Sequence, residues 1–249
     1  MQSNNLLNQE QKRVQPSSRS AFTIGRTVGI LLLLQLIAAL TLPFILSKPI
    51  TLGSPAFLTA VAEHSFQIRS AVLLSFLGSA LTIYLGITAF QEFRIYSKSA
   101  ALLFVAVCAI SCTLDVVHAG TIMSMLSISN DFVNSGAANS ELYQVVGAAV
   151  ASARRSAHNT QLLAIGAWMF VFYISLLHLN LIPRALAVIG VIGVTLQFTG
   201  VTLMMFLGYR PIGEMAMPLL PIQITVAIWL IVKGFNDRLP KPGAESAFG

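Results

Sequence analysis

Six long hydrophobic stretches, separated by short polar segments, dominate this sequence. A membrane-spanning helix needs about 20 mostly apolar residues, and within lipid a helix satisfies all its backbone hydrogen-bonding groups in one segment. We therefore predict an all-α, polytopic membrane helix bundle with six transmembrane helices. The predicted spans are Val28 to Leu46, Ser70 to Phe90, Ala100 to Met123, Gln161 to Leu179, Ala185 to Gly208 and Pro218 to Val232.

The composition agrees with a membrane location. The chain is 55% hydrophobic and 10% charged, with a mean hydropathy of +0.77. Soluble domains usually carry about 25% charged residues, so lipid must cover much of this surface. The formal net charge is +6, but the basic residues lie at the ends of the hydrophobic stretches, where they suit lipid head groups better than nucleic acid. We expect membrane lipids as partners and no nucleic acid.

The sequence predicts one membrane domain between two tails. Residues 1–20 are rich in Gln, Asn, Ser and Arg, a composition typical of disorder. The first hydrophobic stretch is followed by no small-x-small cleavage site, so we expect it to stay as an anchor. We assign residues 21–236 to the six-span domain and residues 237–249 to a second tail.

The basic residues predict the orientation of the bundle. Ten of them lie on one side of the predicted spans: Lys12, Arg13, Arg19, Arg26, Arg94, Lys98, Arg184, Lys233, Arg238 and Lys241. Five lie on the other side: Lys48, Arg69, Arg154, Arg155 and Arg210. Because cytoplasmic loops carry the excess of lysine and arginine, both tails should be cytoplasmic, which agrees with an even number of spans.

Two outer segments should contain helix. Ser54 and Pro55 are typical of an N-cap followed by the first helical position, and the helix that they begin is expected to lead into the second span. Between spans three and four, apolar residues recur at helical spacing from Leu142 to Ala153, which predicts an amphipathic outer helix on the rim of the bundle. Because no Pro or Gly separates this helix from the fourth span, one long helix is the alternative.

The third span carries the candidate chemistry of the chain. Asp115 and His118 share one helical face with Ser111. A carboxylate at this depth costs about 2.5–3.5 kcal/mol on insertion scales, so it should face the interior and find a partner. Ser79 in the second span and His158 at the outer entrance of the fourth lie at a similar level. Asp115, His118, His158 and Ser79 are therefore the candidate ligand-binding residues.

Two other interpretations of these residues remain open. A protonated Asp115, hydrogen-bonded to a neighbouring side chain, would hold helices together without any further role. Alternatively, Asp115, His118 and His158 could bind zinc and leave one position for water. The sequence contains neither an H-E-x-x-H or C-x-x-C metal motif nor a G-x-S-x-G nucleophile motif. We therefore expect no cofactor and assign no catalytic residue.

Two short segments resemble a known family. They are Leu181 to Gly190, which reads LIPRALAVIG, and Ala227 to Gly234, which reads AIWLIVKG. Arg26 and Gly29 open the first span in a similar way. These features are similar to a bacterial multi-span membrane family classed as domain of unknown function 4386. The resemblance implies six spans and a bacterial plasma membrane, and it implies no established activity.

The chain departs from the pattern of that family at two places. An acidic residue is common early in the sixth span of the family, where this chain has Gln223. The third span more often carries an arginine than the Asp115 and His118 found here. Chemistry at Asp115 would therefore belong to a subgroup of the family.

The sequence leaves three functions open. The first is binding or sensing of an apolar, lipid-like ligand in an outward-facing cavity of the bundle. The second is a metal- or acid/base-assisted intramembrane enzyme that uses Asp115, His118 and His158. The third is a small secondary transporter, although such proteins usually show inverted repeats and broken spans.

Overall fold

Eight helices make up the part of the chain that the computed structural model describes, residues 18–46, 57–136, 139–209 and 212–236. Within these ranges there is no strand, and the predicted all-α class is confirmed. The helices are α1 Ser18–Leu46, α2 Phe57–Glu63, α3 Ser65–Tyr96, α4 Lys98–Asn134, α5 Ser140–His178, α6 Arg184–Leu207, α7 Ile212–Ala216 and α8 Leu219–Lys233.

The six predicted spans are confirmed as helices long and apolar enough to cross a membrane. Five of them correspond to α1, α3, α4, α5 and α6, and the sixth runs from Glu214 to Lys233 and includes α8. Four helices are longer than the sequence predicted: α1 has 29 residues, α3 has 32, α4 has 37 and α5 has 39. At 1.5 Å per residue, α5 is about 58 Å long, whereas the hydrocarbon core of a bilayer is about 30 Å thick. α5 is therefore longer than one crossing of that core requires, and its excess length lies at the end of the bundle that contains α2.

The six long helices form a closed ring. Following the chain, α1 packs against α3, α3 against α4, α4 against α5, α5 against α6, and α6 against α8. The ring closes because α8 returns to α1, while α2 packs on α4 and α3 at one end. We call this end the α2 end, and the opposite end, which carries Arg26, Arg94, Lys98, Arg184 and Lys233, the basic end.

Two glycines allow the close approach that closes the ring, Gly29 against α8 and Gly25 against Gly234 and Phe235, which follow α8. Gly25 and Gly29 lie four residues apart and so share one face of α1. A Cβ atom placed on Gly29 would lie 2.7 Å from the carbonyl oxygen of Ala227 and 2.9 Å from the backbone nitrogen of Ile231. The two backbones therefore touch, as they do at small-residue helix crossings in membranes.

The buried apolar residues separate into two clusters. The large cluster is centred on Phe93, Phe104, Phe172 and Trp168, which are all at most 1% exposed. The ring centroids of Phe104 and Phe172 lie 5.6 Å apart in a stacked arrangement. The small cluster lies toward the α2 end and consists of Val61, Ile68, Val72, Ala119, Ile122, Met125, Leu126 and Ala151. It explains why α3, α4 and α5 continue past the predicted spans, since their extensions bury apolar surface against one another and against α2.

The outer segment before the fourth span belongs to one long helix. α5 runs without interruption from Ser140 to His178. Of the two alternatives for this segment, one long helix is therefore the correct one. Most of its predicted stripe does not pack against the bundle: Leu142 is 62% exposed and Val145 is 65% exposed, and Val150, which is partly buried, packs against the small cluster. Gly147 and Ala151 form the buried face instead, and a Cβ on Gly147 would lie 3.0 Å from Leu58 of α2.

The helix expected to lead from Ser54 and Pro55 into the second span is interrupted. α2 ends at Glu63 and α3 begins at Ser65, and between them the Nδ1 atom of His64 lies 2.8 Å from the carbonyl oxygen of Ala60. Ser54, Pro55 and the tails 1–17 and 237–249 lie outside the described residues, so those predictions remain untested.

Candidate functional site

A layer of buried polar side chains separates the two apolar clusters. On each of α3, α4 and α5, the interior face changes from apolar to polar and back again. We call this set the polar layer, and it consists of Ser75, Ser79 and Thr82 on α3, Ser111, Asp115 and His118 on α4, and His158 and Gln161 on α5. All of these side chains are at most 9% exposed except His158, which is partly buried. The sequence prediction that Asp115 and His118 face the bundle interior agrees with this arrangement.

Asp115 is the centre of the polar layer. Its Oδ2 atom accepts a hydrogen bond from the hydroxyl of Ser79 at 2.7 Å, and its Oδ1 atom accepts one from the side-chain amide of Gln161 at 2.7 Å. The carboxyl group therefore joins three neighbouring helices of the ring, α3, α4 and α5. Such bonds are typically worth about 0.6–2 kcal/mol each within membranes.

The Ser79 hydroxyl lies between two acceptors. Its oxygen is 2.7 Å from Asp115 and 3.1 Å from the backbone carbonyl oxygen of Ser75. A hydroxyl has one proton to donate but can also accept. When Asp115 is ionised, Ser79 donates to it; when Asp115 is protonated, it can donate to Ser79, which then donates to Ser75. The same positions of the heavy atoms therefore fit both protonation states of Asp115.

Gln161 connects Asp115 to a pair of histidines. Because its Nε2 atom donates to Asp115, its Oε1 atom must accept, and this oxygen lies 3.2 Å from Nδ1 of His158. The proton of the His158 ring is thereby placed on Nδ1. The ring of His158 lies 4.9 Å from that of His118, measured between centroids. Nε2 of His118 is buried, and it has no hydrogen-bond partner among the described residues.

No described basic side chain neutralises Asp115. Within the described part of the chain, no lysine, arginine or histidine nitrogen lies within 4.0 Å of its carboxylate oxygens. Arg154, one helical turn before His158 on α5, is partly buried and its Nε has no hydrogen-bond partner among these residues. An ionised Asp115 would therefore be an uncompensated charge within the bundle, which is unfavourable in a medium of low dielectric constant.

A small cavity borders Asp115. Its volume is about 50 Å³, and since a water molecule needs at least roughly 10–15 Å³ by such a measure, it has room for a few waters but not for an acyl chain. It lies between α1, α3, α4 and α5. Its polar lining consists of Gln35, Ser75, Ser79, Thr82, Ser111, Asp115 and Gln161, and the rest of its wall is formed by Ala38, Ala39, Leu42, Gly78 and Ile165. His118 and His158 do not line it.

The four candidate residues are thus arranged in two connected groups. Asp115 and Ser79 form a direct hydrogen bond beside the cavity, and His118 and His158 pack on each other, linked to Asp115 through Gln161. The zinc interpretation gains no support, because among the described residues no group of three His, Cys, Asp or Glu side chains is placed to hold a metal ion.

Gln161 is the important residue that the sequence did not single out as part of the site. It appeared as the first residue of the predicted fourth span, where a polar residue attracts no notice. Its position three residues after His158, on the same helical face, was the available signal. The glutamines at membrane depth extend the layer to the other helices: Gln223 of α8 donates to Gln35 of α1 at 3.4 Å, and Gln197 of α6 donates to the carbonyl of Leu162 at 3.2 Å.

The fold and the site define a multi-span α-helical membrane protein with a buried polar layer between α3, α4 and α5. The chain belongs to the family described as domain of unknown function (DUF4386), which matches residues 27–234. No curated protein and no solved structure was found to match it. The resemblance stated from the sequence is therefore confirmed, and the family description assigns no activity.

Proposed function

We propose that this protein is a proton-responsive membrane protein in which Asp115 takes up and releases a proton. The observation that carries the proposal is the environment of the Asp115 carboxyl group, which is 8% exposed and is hydrogen-bonded by two neutral side chains. With no described basic group within 4.0 Å, a proton is the simplest source of neutralisation.

The surrounding hydrogen bonds support exchange of this proton. Ser79 can serve Asp115 as donor or as acceptor, so neither protonation state requires the helices to move far. Chains of Asp and His side chains commonly relay protons in membrane proteins. Here Gln161 can pass a proton through a transient imidic-acid form, in which its Oε1 takes the proton of His158 Nδ1 as its Nε2 gives one to Asp115. The two histidines lie on the α2 side of Asp115, and they would connect it with the water at that end.

The two ends of the bundle differ in charge, and we place the basic end in the cytoplasm of a bacterial plasma membrane. The positive-inside rule supports this orientation. In it, the polar layer lies nearer the outer surface, and Asp115 responds to the pH outside the cell.

The cavity favours this function over binding of a lipid-like ligand. Pockets for drug-sized molecules usually measure about 300–1,000 Å³, and a volume of about 50 Å³ beside Asp115 suits waters or a single small ion. An enzyme that used all three ionisable groups would need Asp115, His118 and His158 at one cavity, whereas the two histidines lie away from it.

The pH dependence of stability tests the proposal. If folded protein holds Asp115 protonated while unfolded protein releases the proton, stability falls as pH rises, by up to about 1.4 kcal/mol per pH unit, until Asp115 ionises in the folded state. The Asp115→Asn variant should lack this slope. Asp131→Asn, which changes an exposed aspartate near the end of the same helix, should keep it. Equal slopes in the wild type and Asp115→Asn would contradict the proposal.

A further inference from the structure

The polar part of the cavity wall beside Asp115 is suited to a cation as well as to a proton. Hydroxyl, carboxyl and amide groups face it from four helices, and no basic side chain of the described residues lines it. Oxygen atoms are the ligands that hard cations prefer. The polar side chains that line the cavity are also at least nine-tenths buried, including Ser79 at 3% and Thr82 at 2% exposure.

Ser111 gives a second and independent indication of a ligand. It lies one helical turn before Asp115 on α4 and lines the same cavity. Its side chain is 1% exposed, and its hydroxyl oxygen has no hydrogen-bond partner among the described residues. Buried polar groups are nearly always satisfied, and an exception calls for an explanation such as an ion. A cation in the cavity would give this oxygen a partner.

We infer that the cavity binds one monovalent cation of about the size of sodium, in exchange for the proton on Asp115. A single carboxylate balances a single positive charge, whereas a divalent ion would leave an excess positive charge in a buried site. The absence of a group of three His, Cys, Asp or Glu side chains among the described residues also argues against a transition metal. The volume of about 50 Å³ accommodates an ion that has lost most of its hydration shell.

The exchange conserves charge at the site. When sodium enters, the Asp115 O–H bond breaks, the proton leaves to water, and the ionised carboxylate binds the ion together with the hydroxyl oxygens. The other titratable groups around the layer are Cys112 and His118 on α4 and Arg154 and His158 on α5, while α1 and α3 contribute hydroxyl and amide groups to the cavity. This inference rests on the proposed proton site, because the two cations share one carboxyl group.

Proton release on addition of sodium tests the inference. Purified full-length protein in weakly buffered detergent solution is mixed with sodium chloride, with choline chloride at equal ionic strength as the reference, and a pH indicator records the protons released. We expect up to one proton per protein with sodium and none with choline. At saturating sodium, the midpoint pH of the Asp115 titration should fall by about one unit for each tenfold increase in sodium, as competition requires.

Two serine variants distinguish a cation site from a general salt effect. Ser111→Ala removes a proposed ligand without changing the charge, and it should weaken the sodium effect by about tenfold while the proton still titrates. Ser124→Ala makes the same change on an exposed part of α4 and should leave the sodium effect intact. If Asp115 titrates but sodium releases no more protons than choline, the sodium inference is wrong and the proton site stands. If Asp115 does not titrate, both proposals fail.

Discussion

The hydroxyl oxygen of Ser79 and a carboxyl oxygen of Asp115, on neighbouring helices α3 and α4, lie 2.7 Å apart inside the bundle. This contact joins two helices at the level where the buried side chains of both change from apolar to polar. It is completed by Gln161, which binds the second carboxyl oxygen from α5 at 2.7 Å. A carboxyl group held by three helices is a structural element as well as a candidate site, and substitutions can separate these two roles.

Replacement of Asp115 by asparagine should preserve the fold. The asparagine oxygen can accept from Gln161, and its amide can donate to Ser79, which donates in turn to the carbonyl of Ser75. Leucine, of similar size, would leave the Gln161 amide without its acceptor, at a cost of about 1–3 kcal/mol, while Ser79 keeps its bond to the carbonyl of Ser75. Thermal unfolding in detergent should therefore show Asp115→Asn close to the wild type at neutral pH or below and Asp115→Leu clearly less stable. Equal loss in both variants would show that the hydrogen bonds contribute little.

Gln161 should be needed for communication between Asp115 and the histidine pair. Gln161→Leu removes the hydrogen bonds to Asp115 and His158 and should cost about 1–3 kcal/mol of stability. It should also slow hydrogen–deuterium exchange at the Asp115 carboxyl group, since the link toward the α2 end is broken. Gln144→Leu, an exposed change on the same helix, serves as the control for both measurements. An unchanged exchange rate in Gln161→Leu would exclude the route through the histidines.

The closed ring should depend on Gly29. In Gly29→Ala the added methyl group would meet the backbone of α8 at 2.7–2.9 Å, so α1 and α8 must separate, and overpacking of this kind typically costs about 1–3 kcal/mol. Gly120→Ala is the matched control, because a Cβ there meets nothing within 4 Å and alanine favours the helix by up to about 1 kcal/mol. The melting temperature should fall in the first variant and hold or rise in the second. A stable Gly29→Ala protein would contradict the close α1–α8 packing.

Hydrophobicity along the sequence predicted much of this fold, because lipid imposes a strong constraint on each span separately. Six helices, their approximate positions and the inward direction of Asp115 follow from that constraint. The stripe from Leu142 to Ala153 predicted the wrong buried face for most of this segment. Periodicity identifies an apolar face but not its partner, and here the smaller residues Gly147 and Ala151 pack inward. The positions at which the helices end beyond the apolar stretches depend on contacts between helices, which a single sequence does not display.

The candidate site was predicted in part for a similar reason. Asp115 and Ser79 stand out as polar residues in apolar stretches. Once the direction of each predicted span was assigned, both residues were expected at a similar depth in the membrane. Their direct bond, the link through Gln161 and the separation of the histidines from the cavity depend on the rotation of each helix about its axis. That rotation is set by the packing of side chains from neighbouring helices within each apolar cluster. No short sequence motif encodes it.

The infrared absorption of the Asp115 carboxyl group tests the central claim most directly. A protonated carboxyl group has a C=O stretching band, which disappears on ionisation, and difference spectra between the wild type and Asp115→Asn assign it. We predict a band present at low pH, absent at high pH and missing in Asp115→Asn, whereas Asp131→Asn retains it. A spectrum in which Asp115 stays in one protonation state throughout the pH range of the folded protein would contradict proton binding at this residue.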